Sequence, residues 1–264
     1  MRKILALSTV VLIASCSVYY VKQHESETVE MSVNPGQAVS DAPDFSAISD
    51  VTEKKQSFFS YLKPGIELEN ARIVKERKIL KRIQTHFDQN NVTTKDKQDA
   101  KHLASLYKVE MNDNKVTAKW LSVMQRRVDV LPPALVLTQA ANESAWGTSR
   151  FAVEGNNYFG QWCYSKGCGL VPLARQEGMT HEVAKFRSVQ ESIHRYFMNV
   201  NRNAAYYELR KIRQQLRQQE QDLLSTDTAE ALTQGLLKYS ERGADYVTDL
   251  QTMIRHNETY WQSE

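Results

Sequence analysis

Residues 131–162 read LPPALVLTQAANESAWGTSRFAVEGNNYFGQW, and this stretch decides the fold. Two prolines, Pro132 and Pro133, suit the first turn of a helix, because that turn needs no amide donor. The residues that follow are almost wholly apolar, which is typical of a buried helix rather than a surface helix. Gly147 supplies a stop signal just beyond Trp146. The pattern therefore predicts a central buried helix.

Glu143 is the one carboxylate in the apolar half of this stretch. Burial penalises the charged form of a carboxyl group, so its pKa rises towards the range of a general acid. Such an acid can protonate the leaving oxygen of a glycosidic bond at neutral pH. The alternative is a carboxylate that is satisfied at the helix end or by an arginine such as Arg150. Spacing alone does not choose between these interpretations.

Aromatic and amide side chains follow Glu143 within a short interval. Aromatic faces can stack on sugar rings, and amides can form hydrogen bonds with hydroxyl or acetamido groups. Aromatic clusters more often belong to the hydrophobic core, so we expect some side chains in each role. The aromatic candidates are Trp146, Tyr158, Phe159 and Trp162, and the amide candidates are Asn156, Asn157 and Gln161.

The rest of the chain is mainly helical by its apolar periodicity. After Pro64-Gly65, apolar residues recur every seven positions from Ile66 to Phe87, which predicts a helix with one apolar stripe. Only residues 170–186 have a weak extended character, which predicts one small hairpin. The formal net charge of +3 is too small to indicate a nucleic-acid partner, and no nucleic-acid-reading motif is present.

The N-terminus is typical of an exported protein. Arg2 and Lys3 precede an apolar run that ends in Ile13-Ala14-Ser15-Cys16, which resembles the lipobox of bacterial lipoproteins. Cys16 is then the lipidation site, and the Ser17 that follows it favours the outer membrane. The alternative is an uncleaved anchor, because apolar residues continue to position 21. Either way, we expect the body of the protein in the cell envelope, on the periplasmic side.

Composition divides the chain into four predicted parts. Residues 1–16 are the lipoprotein-type signal, and residues 17–56 are a flexible stalk, because they are rich in polar residues and proline without a period. Residues 57–115 are an N-terminal helical extension, and residues 116–258 are the main domain. We expect a monomer.

Cys163 and Cys168 remain once Cys16 is assigned to the lipid. In an oxidising compartment this closely spaced pair indicates a structural disulfide. A zinc site needs two more ligands, and no second cysteine pair or suitably spaced histidine pair occurs in the sequence. A cysteine nucleophile with His181 is the other alternative, which the compartment disfavours. We therefore expect no metal and no cofactor.

Several motifs resemble the glucosaminidases of glycoside hydrolase family 73. They are QAANESAWG at 139–147, NNYFG at 156–160, Phe186-Arg187, Ser192-Ile193 and Tyr196, and the similarity reaches Tyr239 and Tyr246. Three further runs look closer to the Bax-type branch of glucosaminidase-domain proteins. They are RVDVLPP at 127–133, FGQWC ending at Cys163, and YSERG from Tyr239.

This resemblance implies a mainly α, lysozyme-like helical domain with a small β-hairpin lobe that lines a cleft. It implies hydrolysis of the β-1,4 bond that follows N-acetylglucosamine in peptidoglycan, with Glu143 as the catalytic acid. Tyr239 aligns with a tyrosine that helps to hold the acetamido group or the attacking water, although the spacing after it leaves Tyr246 as the alternative. Expected substrate contacts are Trp146, Asn157, Tyr158, Phe159, Gln161, Trp162 and Tyr246.

The second catalytic group stays open between three alternatives. Related enzymes place a carboxylate on the β-lobe, where Glu182 is the first choice, because it precedes Phe186-Arg187 on a plausible strand, and Glu177 is the second. The third alternative is the acetamido group of the substrate itself. Competing functions are a muramidase, a lytic transglycosylase, or a wall-binding scaffold lipoprotein that turns over slowly.

Overall fold

The structure is a computed structural model that describes residues 35–173, 175, 178–239 and 241–262. These residues belong to one compact unit. The predicted signal, Cys16 and Glu177 lie outside the described residues. Within the described ranges, no helix combines the length and apolar character needed to cross a membrane.

The described chain is mainly α with one small antiparallel sheet, which confirms the predicted fold class. Its helices are α1 (Val51–Asp88), α2 (Thr94–Tyr107), α3 (Ala118–Arg127), α4 (Pro133–Ser144), α5 (Arg150–Gly155), α6 (Val189–Arg202), α7 (Tyr207–Gln218), α8 (Thr226–Thr233), α9 (Ala244–His256) and α10 (Glu258–Gln262). Its strands are β1 (Trp162–Cys163), β2 (Gly169–Leu170) and β3 (Glu182–Ala184).

Helix α1 begins at Val51 and continues through Pro64, whereas the sequence predicts a start after Pro64-Gly65. A proline inside a helix costs about 3 kcal/mol. Tertiary packing outweighs that cost, because α1 is buried on both sides of the proline and packs against α4 and α6. The carbonyl oxygen of Pro64 also accepts the Gln37 amide at 3.1 Å. The predicted apolar stripe is confirmed at Ile66, Ile73 and Leu80, whereas Phe87 is half-buried.

The segment before α1, residues 35–50, lies against the helical body, so a flexible stalk over 17–56 is wrong for its C-terminal part. The Val39 amide donates to Gln190 Oε1 of α6 at 3.2 Å. The predicted N-terminal extension is in direct contact with the predicted main domain, because α1 packs on α4. Composition does not reveal the docking of residues 35–50, because a short polar segment can dock through only a few of its residues.

Phe45 fixes the segment before α1 to the body of the protein. It is 2% exposed, and its ring centroid lies 5.4 Å from that of Phe58 in α1. The same ring covers Gly147, where a Cβ would stand 2.4 Å from Phe45 Cδ2. The turn that follows α4 is therefore packed from behind by the N-terminal segment.

The start of α4 is held by a buried polar network. Asp129, 2% exposed, pairs with Arg77 at 3.2 Å and with Arg217 at 2.5 Å. Arg213 is fully buried and donates to the carbonyl oxygens of Asp129 and Val130, at 3.0 Å each. Burial favours neutral forms, but the surrounding arginines outweigh it and lower the pKa of Asp129. The network fixes where α4 enters the core.

The sheet forms a small lobe beside the helices. Its strand order is β1-β3-β2, with Trp162 opposite Val183 and Gly169 opposite Ala184. The predicted disulfide is confirmed, and it joins the end of β1 to the turn before β2 with a Cα–Cα distance of 6.2 Å. The predicted hairpin is thus a three-stranded lobe closed by a disulfide.

Candidate active site

Glu143 lies in the last turn of α4, and the chain turns sharply after it. The helix ends at Ser144, earlier than the glycine signal predicts, because Ala145 and Trp146 adopt φ of 49° and 58°. Each such left-handed residue costs about 1–2 kcal/mol. Local hydrogen bonds offset this cost, among them the Gly147 amide to Ser144 Oγ at 2.8 Å. Strain of this kind is typical of functional turns.

A chain of hydrogen bonds between three polar side chains ends on Glu143. The Tyr246 hydroxyl donates to Glu143 Oε1 at 3.1 Å. Gln139, one helical turn before Glu143, donates from Nε2 to the Tyr246 hydroxyl at 3.1 Å and accepts the Tyr196 hydroxyl at Oε1. Residues four apart share one face of a helix, so Gln139 and Glu143 point the same way. Sequence analysis missed Gln139, although this spacing within the central motif was the signal.

The environment raises the pKa of Glu143. Burial is the main cause, and hydrogen bonds from Tyr246 and Asn142 oppose it in part. Arg150 does not neutralise Glu143, because it donates to the Val171 carbonyl at 2.7 Å and stands 3.8 Å from Glu154. Glu143 has no ion-pair partner among the described residues. The environment therefore favours the protonated form of Glu143 more than an exposed position would.

Glu143 opens onto a cavity of about 800 Å³ between the β-lobe and the helices. The β-lobe side includes Gln161, Trp162, Lys185 and the disulfide. The helical side includes Tyr196 and several other residues of α6. Gly160 allows the close approach of the two sides, since a Cβ there would meet Glu143 Oε2 at 3.3 Å. The cavity has the size and mixed lining of a ligand site.

The structure brings only some of the predicted site residues to this cavity. The predicted residues that line it are Phe159, Gln161, Trp162, Tyr239 and Tyr246. Trp162 is 55% exposed and stacks on His181 with centroids 4.0 Å apart, so its outer face is open. Phe159 is buried, and its ring stacks on Tyr196 at 4.2 Å. Tyr239 stacks on Tyr246 at 5.5 Å.

Asn157 and Tyr158 are buried in the packed interior and Trp146 is half-buried against α1, so the structure does not bring these three predicted substrate contacts to the cavity. Trp146 packs edge-on against Phe58 and Phe59 of α1. Tyr158 is 1% exposed and packs on the same helix. Asn157 Nδ2 donates to the carbonyl oxygens of Gln161 and Ala184 at 2.9 and 2.8 Å. It holds the turn onto the β-lobe rather than facing the cavity.

Glu182 is buried behind the disulfide loop and is not among the residues that line the cavity. Its two oxygens accept the amides of Gly167 and Gly169 at 2.9 and 2.8 Å. These backbone hydrogen bonds lower the pKa of Glu182. Cys163, Cys168 and Glu182 are close enough to ligate one ion, but sulfurs joined in a disulfide carry no thiolate charge for a metal.

Among the described residues, Glu191 is the other carboxylate that lines the cavity, and no motif in the sequence singles it out. It accepts the Arg187 amide and Nε at 3.2 and 3.1 Å and stands 3.5 Å from Arg195. Burial disfavours its charge, but these arginines outweigh burial and lower its pKa. Glu191 therefore stays ionised and paired, in contrast to Glu143.

Comparisons with known proteins agree with the site. The family model for mannosyl-glycoprotein endo-beta-N-acetylglucosaminidase matches residues 118–259. The chain is 34% identical over 219 residues to protein bax of Escherichia coli (strain K12), which covers 83% of this chain and 75% of that protein. No solved structure matches the chain. The chain therefore belongs to the glucosaminidase family of glycoside hydrolases.

Proposed function

We propose that this enzyme hydrolyses the β-1,4 bond that follows N-acetylglucosamine in peptidoglycan, with Glu143 as the general acid. The environment of Glu143 carries the proposal: burial raises its pKa, and it has no cationic partner among the described residues. A carboxyl group that is protonated near neutral pH can give its proton to the glycosidic oxygen as the bond breaks.

Tyr246 positions the acid, because its hydroxyl donates to Glu143 Oε1 at 3.1 Å and is itself fixed by Gln139. Burial raises the pKa of both Tyr246 and Tyr239, so both keep their protons. Tyr239, half-buried and stacked on Tyr246, holds the acetamido group of the substrate. This assignment gives the two tyrosines separate roles.

The substrate's own acetamido oxygen completes the reaction. It attacks the anomeric carbon while Glu143 protonates the leaving oxygen, and water then opens the cyclic intermediate with Glu143 as the base. Two observations support this route over a second carboxylate. Both oxygens of Glu182 are bound to backbone amides, and Glu191 is paired with Arg187. The configuration at the anomeric carbon is then retained.

Purified peptidoglycan tests the cleavage, because each reaction leaves a different chain end for mass spectrometry. Reducing N-acetylglucosamine ends are expected. Reducing muramic acid ends would instead identify a muramidase, anhydromuramyl ends a lytic transglycosylase, and intact glycan a scaffold. Glu143→Gln removes the proton donor with little change in shape, and loss of a general acid typically costs about 10²- to 10⁴-fold in rate.

Glutamine variants of Glu177 and Glu182, compared with Glu143→Gln, separate the candidates for the second group. With acetamido assistance, Glu177→Gln retains most activity and Glu182→Gln loses activity only in step with a lower melting temperature. A stable, folded Glu177→Gln or Glu182→Gln protein with a loss as large as that of Glu143→Gln would overturn the acetamido route. A thiazoline analogue of N-acetylglucosamine, which resembles the cyclic intermediate, is expected to inhibit.

The enzyme acts from the periplasmic side of the cell envelope, held to the outer membrane by a lipid on Cys16. The sequence Ile13-Ala14-Ser15-Cys16 supports this placement. Cys16→Ser is expected to release the protein from membranes. A variant that stays in the membrane fraction would favour an uncleaved anchor.

A further inference from the structure

One face of α6 lines the cavity with cationic and amide side chains. Arg195, Asn199 and Arg202 all belong to the lining. They are four and three residues apart, so they share a face and extend about 10 Å along the helix. Lys185 of the β-lobe lines the same cavity. None of these side chains takes part in the proposed steps at Glu143.

Arg195 is only loosely held by its acidic neighbour. Its Nη2 stands 3.5 Å from Glu191 Oε1, whereas Arg187 gives Glu191 two closer hydrogen bonds, at 3.2 and 3.1 Å. Arg187, through its backbone amide and its guanidinium, therefore holds Glu191 more closely than Arg195 does. The Arg195 side chain is 55% exposed, so its guanidinium is accessible from the cavity.

Arg202 has neutral hydrogen-bond partners, the carbonyl oxygens of Met198 and Leu106 at 3.0 and 3.2 Å. In the part of the chain that the structure describes, no carboxylate forms an ion pair with it. Burial lowers the pKa of Arg202, and so do the nearby cations Arg195, Arg127 and Arg72. An anion bound at this face relieves the repulsion between these like charges.

The ionised side chains of the described lining carry a net positive charge when Glu143 is protonated. The lining includes three cations, Lys185, Arg195 and Arg202, and one carboxylate that is already paired, Glu191. We propose that Arg195 and Arg202, with Lys185, form a subsite for carboxylate groups carried by the muramyl residues of the glycan.

This inference rests on the proposed action on peptidoglycan and names the chemistry that selects it. A guanidinium binds a carboxylate through paired donors, which a neutral polysaccharide such as chitin does not satisfy. The carboxylate has two sources: the peptide attached to the lactyl group, or the lactyl group itself where the peptide has been removed. The subsite makes the enzyme prefer wall glycan to chitin.

Binding by the full chain carrying Glu143→Gln tests the subsite without cleavage. The probes are insoluble intact sacculi, sacculi stripped of peptide by an amidase, and chitin. Arg195→Gln, added to this background, is expected to weaken binding to intact sacculi about two- to fivefold and to leave chitin binding unchanged. The preference for sacculi is expected to vanish near 1 M salt, where screening acts within about 3 Å.

Lys119→Gln is the matched control. Lys119 carries the same charge as Arg195 and is exposed, but it lies on α3 and is not part of the lining. An equal loss in both variants would reduce the effect to general surface charge and overturn the subsite. The subsite would also be contradicted if Arg195→Gln lost chitin binding as much as binding to sacculi, or if Arg195→Gln bound sacculi as tightly as the Glu143→Gln parent.

The stripped sacculi identify the source of the carboxylate. A preference that persists on them supports the lactyl carboxylate, and one that disappears supports the peptide carboxylates. The cleavage test is independent of these results. Carboxylate-dependent binding without new chain ends would support the subsite and contradict only the proposed hydrolysis.

Discussion

Replacing Tyr246 by phenylalanine removes one buried hydroxyl that has two hydrogen-bond partners. The hydroxyl accepts from Gln139 Nε2 and donates to Glu143 Oε1, at 3.1 Å each. Gln139 is fully buried, so its amide loses an acceptor that water cannot replace. A buried polar group left without a partner costs about 1–3 kcal/mol. The middle of that range lowers the melting temperature of a chain of this size by about 4–8 °C.

The same change alters the pH dependence of activity. A hydrogen bond donated to a carboxylate stabilises its charged form and lowers its pKa, so Tyr246→Phe raises the pKa of Glu143 further. The acid then stays protonated to higher pH, and the alkaline limb of the pH–activity profile moves up. We also expect kcat/KM to fall about 2- to 12-fold, because the net contribution of the bond is about 0.5–1.5 kcal/mol.

Tyr239→Phe is the control for this experiment. Tyr239 stacks on the same ring, but its hydroxyl forms its hydrogen bond with Tyr206, and it interacts with Glu143 only through charge. Activity is followed as release of soluble fragments from peptidoglycan between pH 4 and 9, with the melting temperature measured at each pH. An alkaline limb that does not move in Tyr246→Phe, or that moves equally in Tyr239→Phe, would refute the assigned role of the Tyr246 hydrogen bond.

Three other changes test the fold around the site. Glu143→Gln raises the melting temperature at pH 8 but not below pH 4. The pKa of Glu143 is higher in the folded than in the unfolded protein, so ionisation of Glu143 destabilises the fold once the pH exceeds its pKa in the unfolded protein. An equal rise in melting temperature at both pH values would contradict this. Phe45→Ala destabilises by about 3–5 kcal/mol in urea unfolding, since its ring is buried; a change below 1 kcal/mol would mean that residues 35–50 are not docked. Cys163→Ser with Cys168→Ser costs about 2 kcal/mol, and alkylation of the two thiols before reduction would count against the disulfide.

The local pattern of the central helix was informative because burial and periodicity are properties of neighbouring residues. Pro132 and Pro133 mark its start, and an almost wholly apolar run predicts that it is buried, as the structure shows from Ala134 to Ala141. Glu143 stood out for the same reason, since a carboxyl group on such a helix is costly unless it is used. The disulfide followed from two closely spaced cysteines in a chain that the sequence predicts to be exported.

Errors arose where a residue type fits two environments equally well. Tyr158 and Phe159 are adjacent aromatic residues, yet one packs on α1 and the other lines the cavity. Glu182 occupies the expected strand, but its oxygens bind the disulfide loop. Helix α1 passes through Pro64 because packing against α6 outweighs a local preference that favours a break.

The sequence by itself determined the mainly helical class, the buried position of α4 and the identity of its one acidic side chain, because these depend on residue order along one element. Only the tertiary structure decided that Tyr246 rather than Tyr239 donates to Glu143, and that Arg195 and Arg202 share its cavity. Such pairings join residues about fifty to one hundred positions apart. Their distance is set by how whole helices pack, and no local pattern carries that information.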